Sequence, residues 1–469
     1  YREQAWSARV SIEVLEREGE ESFPAWVARG VAESQKGKLS RAEALPFLGG
    51  RWLRPCTSCG KEPAEHIGTL EEHRVCRSCS AKRRQIRSFY GQVKGSLDRL
   101  QPMPAAAELK KNWPDFVLTT LAEAVERENL KDGRGPLRTL LPQDFEDIGA
   151  RSRPRNYFGL IYADGNRMGE TIRAMAERFP RDEEAQGAYR AFSRIMDQAT
   201  REAAVEAVLE RVETSEIEIG EGRTARLVPA EFVIAGGDDL ILIVPAHAAL
   251  GVAERFITRF HEKSLELQEK AVQEKEIPRK FAEEGLTTSA GVVLSHASYP
   301  ASQLVDLAAE LMKSAKRRAV SVREGTLDFM VLHESGTESV KERRKEYEGK
   351  TLLGRAVRRT ERPYTAAEMS LLEHRIVELK RVGAPRGKLK ALYAALFRSP
   401  VEAQYEAARI RERLVATGHA SGSGPLAELF EHLPFFPFRE GPDGAWSTPL
   451  TELIEVYDFI HADGEEPLA

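Results

Sequence analysis

The sequence predicts an α+β fold whose core has the ferredoxin-like, or palm, element order βαββαβ. Two observations carry this prediction. Short apolar runs of strand length are bounded by Gly and Asp, and apolar residues recur at three- and four-residue steps in the longer segments between them. The predicted elements are, in order, a strand at 157–164, a helix, a β-hairpin at 232–244, a helix at 247–270, a strand at 287–295, a helix at 301–318 and a strand at 327–332.

The first strand ends at an acidic residue, Asp164, which is followed by Gly165, Asn166 and the start of a helical pattern. A carboxylate in this position can ligate a metal, while the loop amides and the helix N-terminus can hold phosphate. The alternative is that Asp164 only caps the helix.

The hairpin has the sequence Gly-Gly-Asp-Asp at its tip. Gly236 and Gly237 permit the positive φ that a tight turn needs, and Asp238 and Asp239 place two adjacent carboxylates there. Two such carboxylates repel each other unless a cation lies between them, and Mg²⁺ or Mn²⁺ is the natural occupant. The alternative is a plain hairpin turn, since Gly and Asp are common turn residues.

The element order allows the first strand and the hairpin to lie side by side at the centre of the sheet. We therefore expect Asp164 and Asp238 to share one metal site.

Three motifs resemble the catalytic palm of the large subunit of type III CRISPR–Cas effector complexes: Ala-Asp-Gly-Asn at 163–166, Gly-Gly-Asp-Asp at 236–239 and Ser-Ala-Gly-Val-Val at 289–293. A Tyr-Pro pair at 299–300, followed by a helix with a Lys near its end, extends the resemblance, which covers about 151–335. The resemblance implies a metal-dependent nucleotidyltransferase that makes cyclic oligoadenylate from ATP when target RNA binds. It also implies guide RNA and other effector subunits as partners.

The resemblance also implies roles for single residues. Asp164, Asp238 and Asp239 would carry two Mg²⁺ or Mn²⁺ ions, which suit phosphodiester formation because two metals about 4 Å apart serve both the attacking and the leaving oxygen. Lys316, or else Lys313, would neutralise triphosphate charge, and Ser289 would lie near the adenine. For the two lysines the alternative is a solvated helix face.

Two other functional classes stay open. One is a nucleotide cyclase outside CRISPR, of the diguanylate-cyclase type, although that class typically has Phe where Leu240 follows the acidic pair here. The other is a catalytically idle palm that serves as a scaffold in an RNA–protein complex. The sequence contains no His-Asp dipeptide, so the His-Asp nuclease of many family members is not expected in this chain.

The four cysteines fall in one short region, as two Cys-x-x-Cys pairs, and this spacing is typical of a zinc ribbon. The predicted ligands of one structural Zn²⁺ are Cys56, Cys59, Cys76 and Cys79. The alternative is two disulfides or free thiols, which the absence of other cysteines and of a visible secretory signal disfavours.

Composition sets broad bounds. The 469 residues suffice for about three domains. The net charge is only −4, so any RNA contact must use local basic patches. The longest apolar runs are strand-sized, so we expect a cytoplasmic protein without a membrane partner.

We divide the chain into five parts. The predicted domains are a helical remnant of a first palm at 1–50, a zinc element at 51–95, a connector at 96–150, the catalytic palm at 151–340, and a charged linker with a C-terminal helical bundle at 341–469, the linker being 341–363.

Overall fold

The protein is described here from a computed structural model. The described residues are 25, 29, 66–67, 74–75, 105–112, 114–131, 138–142, 144–178, 182–218, 224–332, 339–352, 355–416, 437–440 and 444–461.

The described residues form both strands and helices. The strands are β1 (His66–Ile67), β2 (Arg74–Val75), β3 (Arg138–Leu140), β4 (Tyr157–Gly165), β5 (Ser215–Glu218), β6 (Thr224–Leu227), β7 (Glu231–Gly236), β8 (Asp239–Pro245), β9 (Thr288–His296), β10 (Thr326–Val331), β11 (Glu348–Leu352), β12 (Arg355–Arg358), β13 (Tyr364–Thr365), β14 (Arg439–Glu440) and β15 (Trp446–Ser447). The α-helices are α1 (Ala106–Asn112), α2 (Val117–Lys131), α3 (Phe145–Ala150), α4 (Met168–Arg178), α5 (Asp182–Arg211), α6 (Ala246–Gln273), α7 (Ala301–Val322), α8 (Val340–Arg344), α9 (Ala366–Arg381), α10 (Arg386–Arg398), α11 (Pro400–Ala416) and α12 (Leu450–Glu455). Short 3₁₀ turns lie at Arg279–Ala282 and Lys345–Tyr347.

A six-stranded sheet forms the centre, in the order β13-β10-β9-β4-β8-β7. Strand β4 is central and pairs antiparallel with both β8 and β9, while β7 and β8 form the hairpin. The strands β9, β4, β8 and β7 thus follow the ferredoxin-like order, and the predicted palm core is confirmed. Strand β10 pairs parallel with β9 and adds to that core through α7.

Helices cover the two faces of this sheet. On one face, Phe192 of α5 and Phe256 of α6 pack with sheet residues such as Ile161 in the largest apolar cluster. On the other face, Leu311 of α7 packs with Leu160 in a second cluster. The long α5, of 30 residues, therefore lies behind the hairpin, and α7 covers the opposite side of β9 and β4.

The described residues of the region expected to be a connector, 96–150, contain three helices, α1, α2 and α3. Val117, Leu121 and Val125 of α2 are buried in the same cluster as α5. The apolar residues of α2, at helical spacing, therefore pack this helix against the palm. Nearby, β3, β6 and β5 form a three-stranded sheet that the sequence did not predict.

The charged segment expected to be a linker is largely ordered. It contains α8, β11 and β12, and Arg344 forms a bidentate ion pair with the buried Asp328 of β10. Arg362 is also buried. These arginines are paired with carboxylates inside the protein, so their charge is not a sign of a solvated linker here.

The C-terminal region combines helices with a small sheet. Helices α9, α10 and α11 contribute apolar residues to the main cluster. Strands β11, β12, β15 and β14 form a four-stranded sheet that the bundle prediction did not include. Within the described part of the chain, no helix is long and apolar enough to cross a membrane.

Candidate active site

The carboxylates predicted to bind metal lie at one end of the central sheet. Ala163 of β4 pairs with Leu240 of β8, so the next residue, Asp164, lies beside the hairpin tip that carries Asp238 and Asp239. The strand pairing therefore brings the two acidic motifs together, as predicted.

Asp164 and Asp238 interact directly. Burial raises the pKa of Asp238 above its ordinary value, and the negative charge of Asp164 raises that pKa further, with a smaller contribution from Asp239 and a hydrogen bond with Asp164. The three carboxylates also raise the pKa of Tyr162, after burial as the main cause. This end of the sheet is thus a concentrated negative site that a cation would stabilise.

Lys316 of α7 supplies a cation at this site. Its Nζ lies 2.7 Å from Asp164 Oδ2 and donates a hydrogen bond of 2.7 Å to the carbonyl oxygen of Gly165. Lys313 lies one turn earlier on α7 and is exposed. Of the two candidate lysines, the structure brings Lys316 to the carboxylates.

Gly165 lies so close to Asp238 and Met168 that there is no room for a side chain. A Cβ on this residue would lie 2.9 Å from Cβ of Asp238 and 2.4 Å from Cε of Met168. A side chain here would therefore push the hairpin tip away from the end of β4.

Asn166 and Ser289 form a buried polar network beside the site. The Asn166 backbone N–H donates to the carbonyl of Thr287 at 2.8 Å, and the Ser289 hydroxyl donates to Asn166 Oδ1 at 2.9 Å. A second contact joins the hydroxyls of Ser289 and Thr326 at 3.2 Å.

Two expectations change as a result. Ser289 has no exposed surface, because its hydroxyl lies among these partners, which differs from the expected place beside an adenine. The amide of Asn166 is committed to Thr287 and is therefore not available to a phosphate in this arrangement.

Gly236 and Gly237 lie at the tip, and Gly237 has a φ of +61°. The tip pairs Gly236 with Asp239, so residues 237 and 238 form a two-residue turn. Positive φ at the first of these two residues is what a type II′ hairpin turn requires.

Sequence reasoning did not single out Tyr162. This residue lies two positions before Asp164, and side chains two apart on a strand share a face. This spacing of two residues could have identified Tyr162 from the sequence as a neighbour of Asp164.

The oxygen atoms at this site are of the kinds that bind a divalent cation. Carboxylate and backbone carbonyl oxygens are what Mg²⁺ and Mn²⁺ prefer. In the structure a positive group, the Lys316 ammonium, already contacts one of each, on Asp164 and Gly165. No group of three His, Cys, Asp or Glu side chains in the described ranges is arranged to hold a metal ion.

The four cysteines predicted to bind zinc, Cys56, Cys59, Cys76 and Cys79, lie outside the described residues. Between the two pairs in the sequence, β1 and β2 form a short antiparallel ladder in which His66 is opposite Val75. The zinc site stays a prediction.

Comparison with known proteins places the palm in a family. Residues 157–321 match the family model for the second palm domain of Cas10/Cmr2. A search among curated protein sequences finds no match.

Several solved structures are similar. Csm1 of T. onnurineus is 16% identical, with 68% of this chain and 40% of that chain covered and a TM-score of 0.38. The Csm1–Csm4 cassette in complex with cA4 is 15% identical, with coverages of 67% and 38% and a TM-score of 0.37. The same cassette in complex with AMPPNP is 17% identical, with coverages of 67% and 37% and a TM-score of 0.34.

The matched part thus spans 37% to 40% of the length of these relatives. The family match covers all the strands that carry the acidic residues, from β4 to β9. The recognition made from the sequence motifs is confirmed for the palm: residues 157–321 match the second palm domain of Cas10/Cmr2.

Proposed function

We propose that this chain is a metal-dependent nucleotidyltransferase that makes cyclic oligoadenylate from ATP within a type III CRISPR effector complex. The observation that carries the proposal is the meeting of Asp164 with the hairpin tip, where burial and mutual repulsion raise the pKa of Asp238. Such a concentration of negative charge is costly in an idle scaffold and useful in a site that holds cations.

The residues present suit phosphoryl chemistry of the positioning type. Asp164, Asp238 and Asp239 would hold two Mg²⁺ or Mn²⁺ ions, which when bound lower the pKa of the attacking 3′-hydroxyl and stabilise the pyrophosphate leaving group. No side-chain nucleophile is needed, since this type of catalysis rests on positioning and electrostatic stabilisation.

Lys316 has a role that follows from its contacts. Its ammonium bridges Asp164 and Gly165. With cations on the carboxylates, the ammonium would be free to turn to the triphosphate, where it would offset negative charge on the phosphates. Tyr162 lies two positions before Asp164 on the same strand face, where the three carboxylates raise its pKa.

The remaining sequence predictions belong to this proposal. Guide RNA, target RNA and other effector subunits are the proposed partners, in the cytoplasm. One structural Zn²⁺ bound by the four cysteines would hold the element at 51–95 together. One zinc per chain by metal analysis, lost in a Cys56→Ser/Cys59→Ser variant, would support that part; no zinc would contradict it.

The test is a product assay with the assembled effector complex. The complex is incubated with ATP, Mg²⁺ or Mn²⁺ and cognate target RNA, and the products are identified by mass spectrometry. We expect cyclic oligoadenylate with the wild type and its loss with an Asp238→Asn/Asp239→Asn variant. The matched control is Glu283→Gln/Glu284→Gln, which removes two adjacent exposed carboxylates outside the site.

Three outcomes would contradict the proposal. No oligoadenylate from the wild-type complex would exclude the activity, and equal product from the Asp238→Asn/Asp239→Asn variant would move it to another site. Product formed from GTP and not from ATP would favour the diguanylate-cyclase alternative.

A further inference from the structure

The hairpin tip that carries the acidic pair is held from behind by helix α5. The backbone N–H of Gly237 donates to Asp197 Oδ1 at 3.1 Å, and the carbonyl oxygen of Gly237 accepts from the Thr200 hydroxyl at 2.7 Å. Both polar groups of one turn residue are therefore bound by two side chains of the same helix.

The backbone hydrogen bonds between β7 and β8 do not restrain Gly237. The last pair of the β7–β8 ladder is Gly236 with Asp239, so Gly237 lies beyond the strand hydrogen bonds. Gly also has the largest conformational freedom of any residue. Without partners, this peptide would rotate easily and move the carboxylate of Asp238 with it.

The two anchoring side chains are themselves fixed. Arg201 donates from Nε to Asp197 Oδ2 at 3.0 Å and its Nη2 lies 2.9 Å from the same oxygen. The Arg201 side chain is 11% exposed, and Thr200 is fully buried. Asp197 therefore accepts from Arg201 with one oxygen and from Gly237 with the other, so both carboxylate oxygens are held in place.

We propose that Asp197 and Thr200 are positioning residues for the acidic pair: they clamp the Gly237 peptide and so set where Asp238 and Asp239 lie relative to Asp164. The inference rests on the proposed function and adds to it two residues that act through the Gly237 peptide. Its physical basis is that a misplacement of about 1 Å in a catalytic group can cost about 100-fold in rate.

The test uses the full chain and compares four variants. Thr200→Val removes the hydroxyl at nearly constant volume, and Thr200→Ser restores it. Asp197→Ala removes the acceptor for the Gly237 N–H. Gln198→Ala is the matched control, because Gln198 is on the same helix and hydrogen-bonds Glu202 instead of the turn.

Metal binding, turnover and folding are each measured. Mn²⁺ affinity is read from the loss of the free-ion signal in electron paramagnetic resonance, with Asp238→Asn/Asp239→Asn defining the binding that belongs to the site. The steady-state kcat and KM for ATP are measured in the assembled complex. Thermal unfolding of each variant shows that it is folded.

We expect Thr200→Val and Asp197→Ala to weaken Mn²⁺ binding and to lower kcat about 10- to 100-fold, with KM for ATP changed less than about threefold. Thr200→Ser should recover most of both, and Gln198→Ala should match the wild type. A structural role alone would lower the unfolding temperature and leave the Mn²⁺ affinity of the folded protein unchanged.

The inference is overturned if folded Thr200→Val and Asp197→Ala bind Mn²⁺ and turn over ATP like the wild type. This failure is distinct from that of the proposed function. If the wild-type complex makes no oligoadenylate, the nucleotidyltransferase proposal fails, while weaker Mn²⁺ binding in the two variants would still support the clamp.

Discussion

Lys316 and Asp164 form an ion pair across the end of the palm sheet, with Nζ of the lysine 2.7 Å from Oδ2 of the aspartate. The same ammonium donates to the Gly165 carbonyl at 2.7 Å. The ammonium thus lies on two oxygen atoms of the kinds that a divalent cation prefers. A metal ion on Asp164 and the Lys316 ammonium therefore compete for the same donors.

The first prediction tests this competition. Lys316→Met keeps an unbranched side chain, one atom shorter, and removes its charge. In the absence of nucleotide, we expect Mn²⁺ to bind about tenfold more tightly, a gain of about 1.4 kcal/mol. On the proposed function, turnover of ATP should fall at least about 10-fold, because the variant lacks the charge that would offset the phosphates.

The comparison for this variant is Lys313→Met, which changes an exposed lysine one turn away on the same helix. It should bind Mn²⁺ and turn over ATP like the wild type. Equal Mn²⁺ affinity in the wild type and Lys316→Met would show that the two cations do not compete.

The second prediction concerns the contact between Gly165 and Asp238. Gly165→Ala would place a Cβ 2.9 Å from Cβ of Asp238, so the hairpin tip must shift. We expect a destabilisation of about 1–3 kcal/mol, as for an overpacked core, measured by denaturant unfolding. Product formation should fall as well, because the carboxylates separate.

Gly169→Ala is the control for that change. Gly169 is in α4, and a Cβ there would meet no atom within 4 Å. Because Ala favours helix, this substitution should stabilise the protein by about 0.5–1 kcal/mol and leave product formation unchanged. If both substitutions behave alike, the close approach at Gly165 has no consequence.

The third prediction separates stability from activity at Asp238. Burial and the neighbouring carboxylates raise the pKa of Asp238 in the folded protein. A raised pKa means that the stability from this group is present below the unfolded pKa and is lost as pH rises through the folded pKa. At neutral pH without metal, the charge of Asp238 therefore opposes folding.

We accordingly expect Asp238→Asn to raise the unfolding temperature in chelator at pH 7 and to lower product formation at least about 100-fold. In the wild type, Mn²⁺ should raise the unfolding temperature more at pH 7 than at pH 4, where protons compete for the site. A lower unfolding temperature for Asp238→Asn at pH 7 would mean that the carboxylate stabilises the fold.

The sequence predicted the palm sheet and the meeting of Asp164 with the hairpin tip, because both depend on local signals. The sequence itself shows these signals: apolar runs of strand length, a Gly-Gly turn, and acidic residues at strand ends. The family resemblance pointed to Lys316 with Lys313 as the alternative, and the choice between them needed the contact of Lys316 with Asp164.

Other features depend on contacts that sequence spacing does not encode. In the sequence, Asp197 is one polar residue among many on a long helix. Its contact with Gly237 is found only in the tertiary structure, where α5 packs behind the hairpin. Ser289 was expected near a base, yet its hydroxyl lies buried against Asn166. Arg362 belongs to a charged run, and only the tertiary fold shows that it is buried between carboxylates.

The cluster around Arg362 joins the palm to the C-terminal helix α12. The Arg362 side chain is 2% exposed, with Nε 3.3 Å from Glu452 Oε1 and Nη1 3.0 Å from Glu455 Oε2. Its guanidinium also lies over the ring of Phe329 in β10, at 5.2 Å. One guanidinium thus faces two carboxylates, and burial raises the pKa of Glu452 to about 7 against the opposing effect of Arg362.

The last prediction follows from that pKa. The stability due to Glu452 is fully present below pH 4.5 and is lost as pH rises through about 7, because the folded protein holds this proton more tightly than the unfolded chain. Glu452→Gln should therefore weaken the fall in unfolding free energy between pH 5 and pH 8. Arg362→Met should destabilise the protein by about 3–5 kcal/mol at pH 8, since it leaves buried charge without a partner.

The loss in Arg362→Met should be smaller at pH 5, where Glu452 is neutral. The reference is Arg386→Met, which removes the exposed ion pair with Asp458 and should cost less than about 1 kcal/mol at either pH. Denaturant unfolding at the two pH values measures all three variants. If Arg362→Met costs no more than Arg386→Met, or costs the same at both pH values, then Glu452 does not titrate against Arg362 and the cluster is not what couples α12 to the palm.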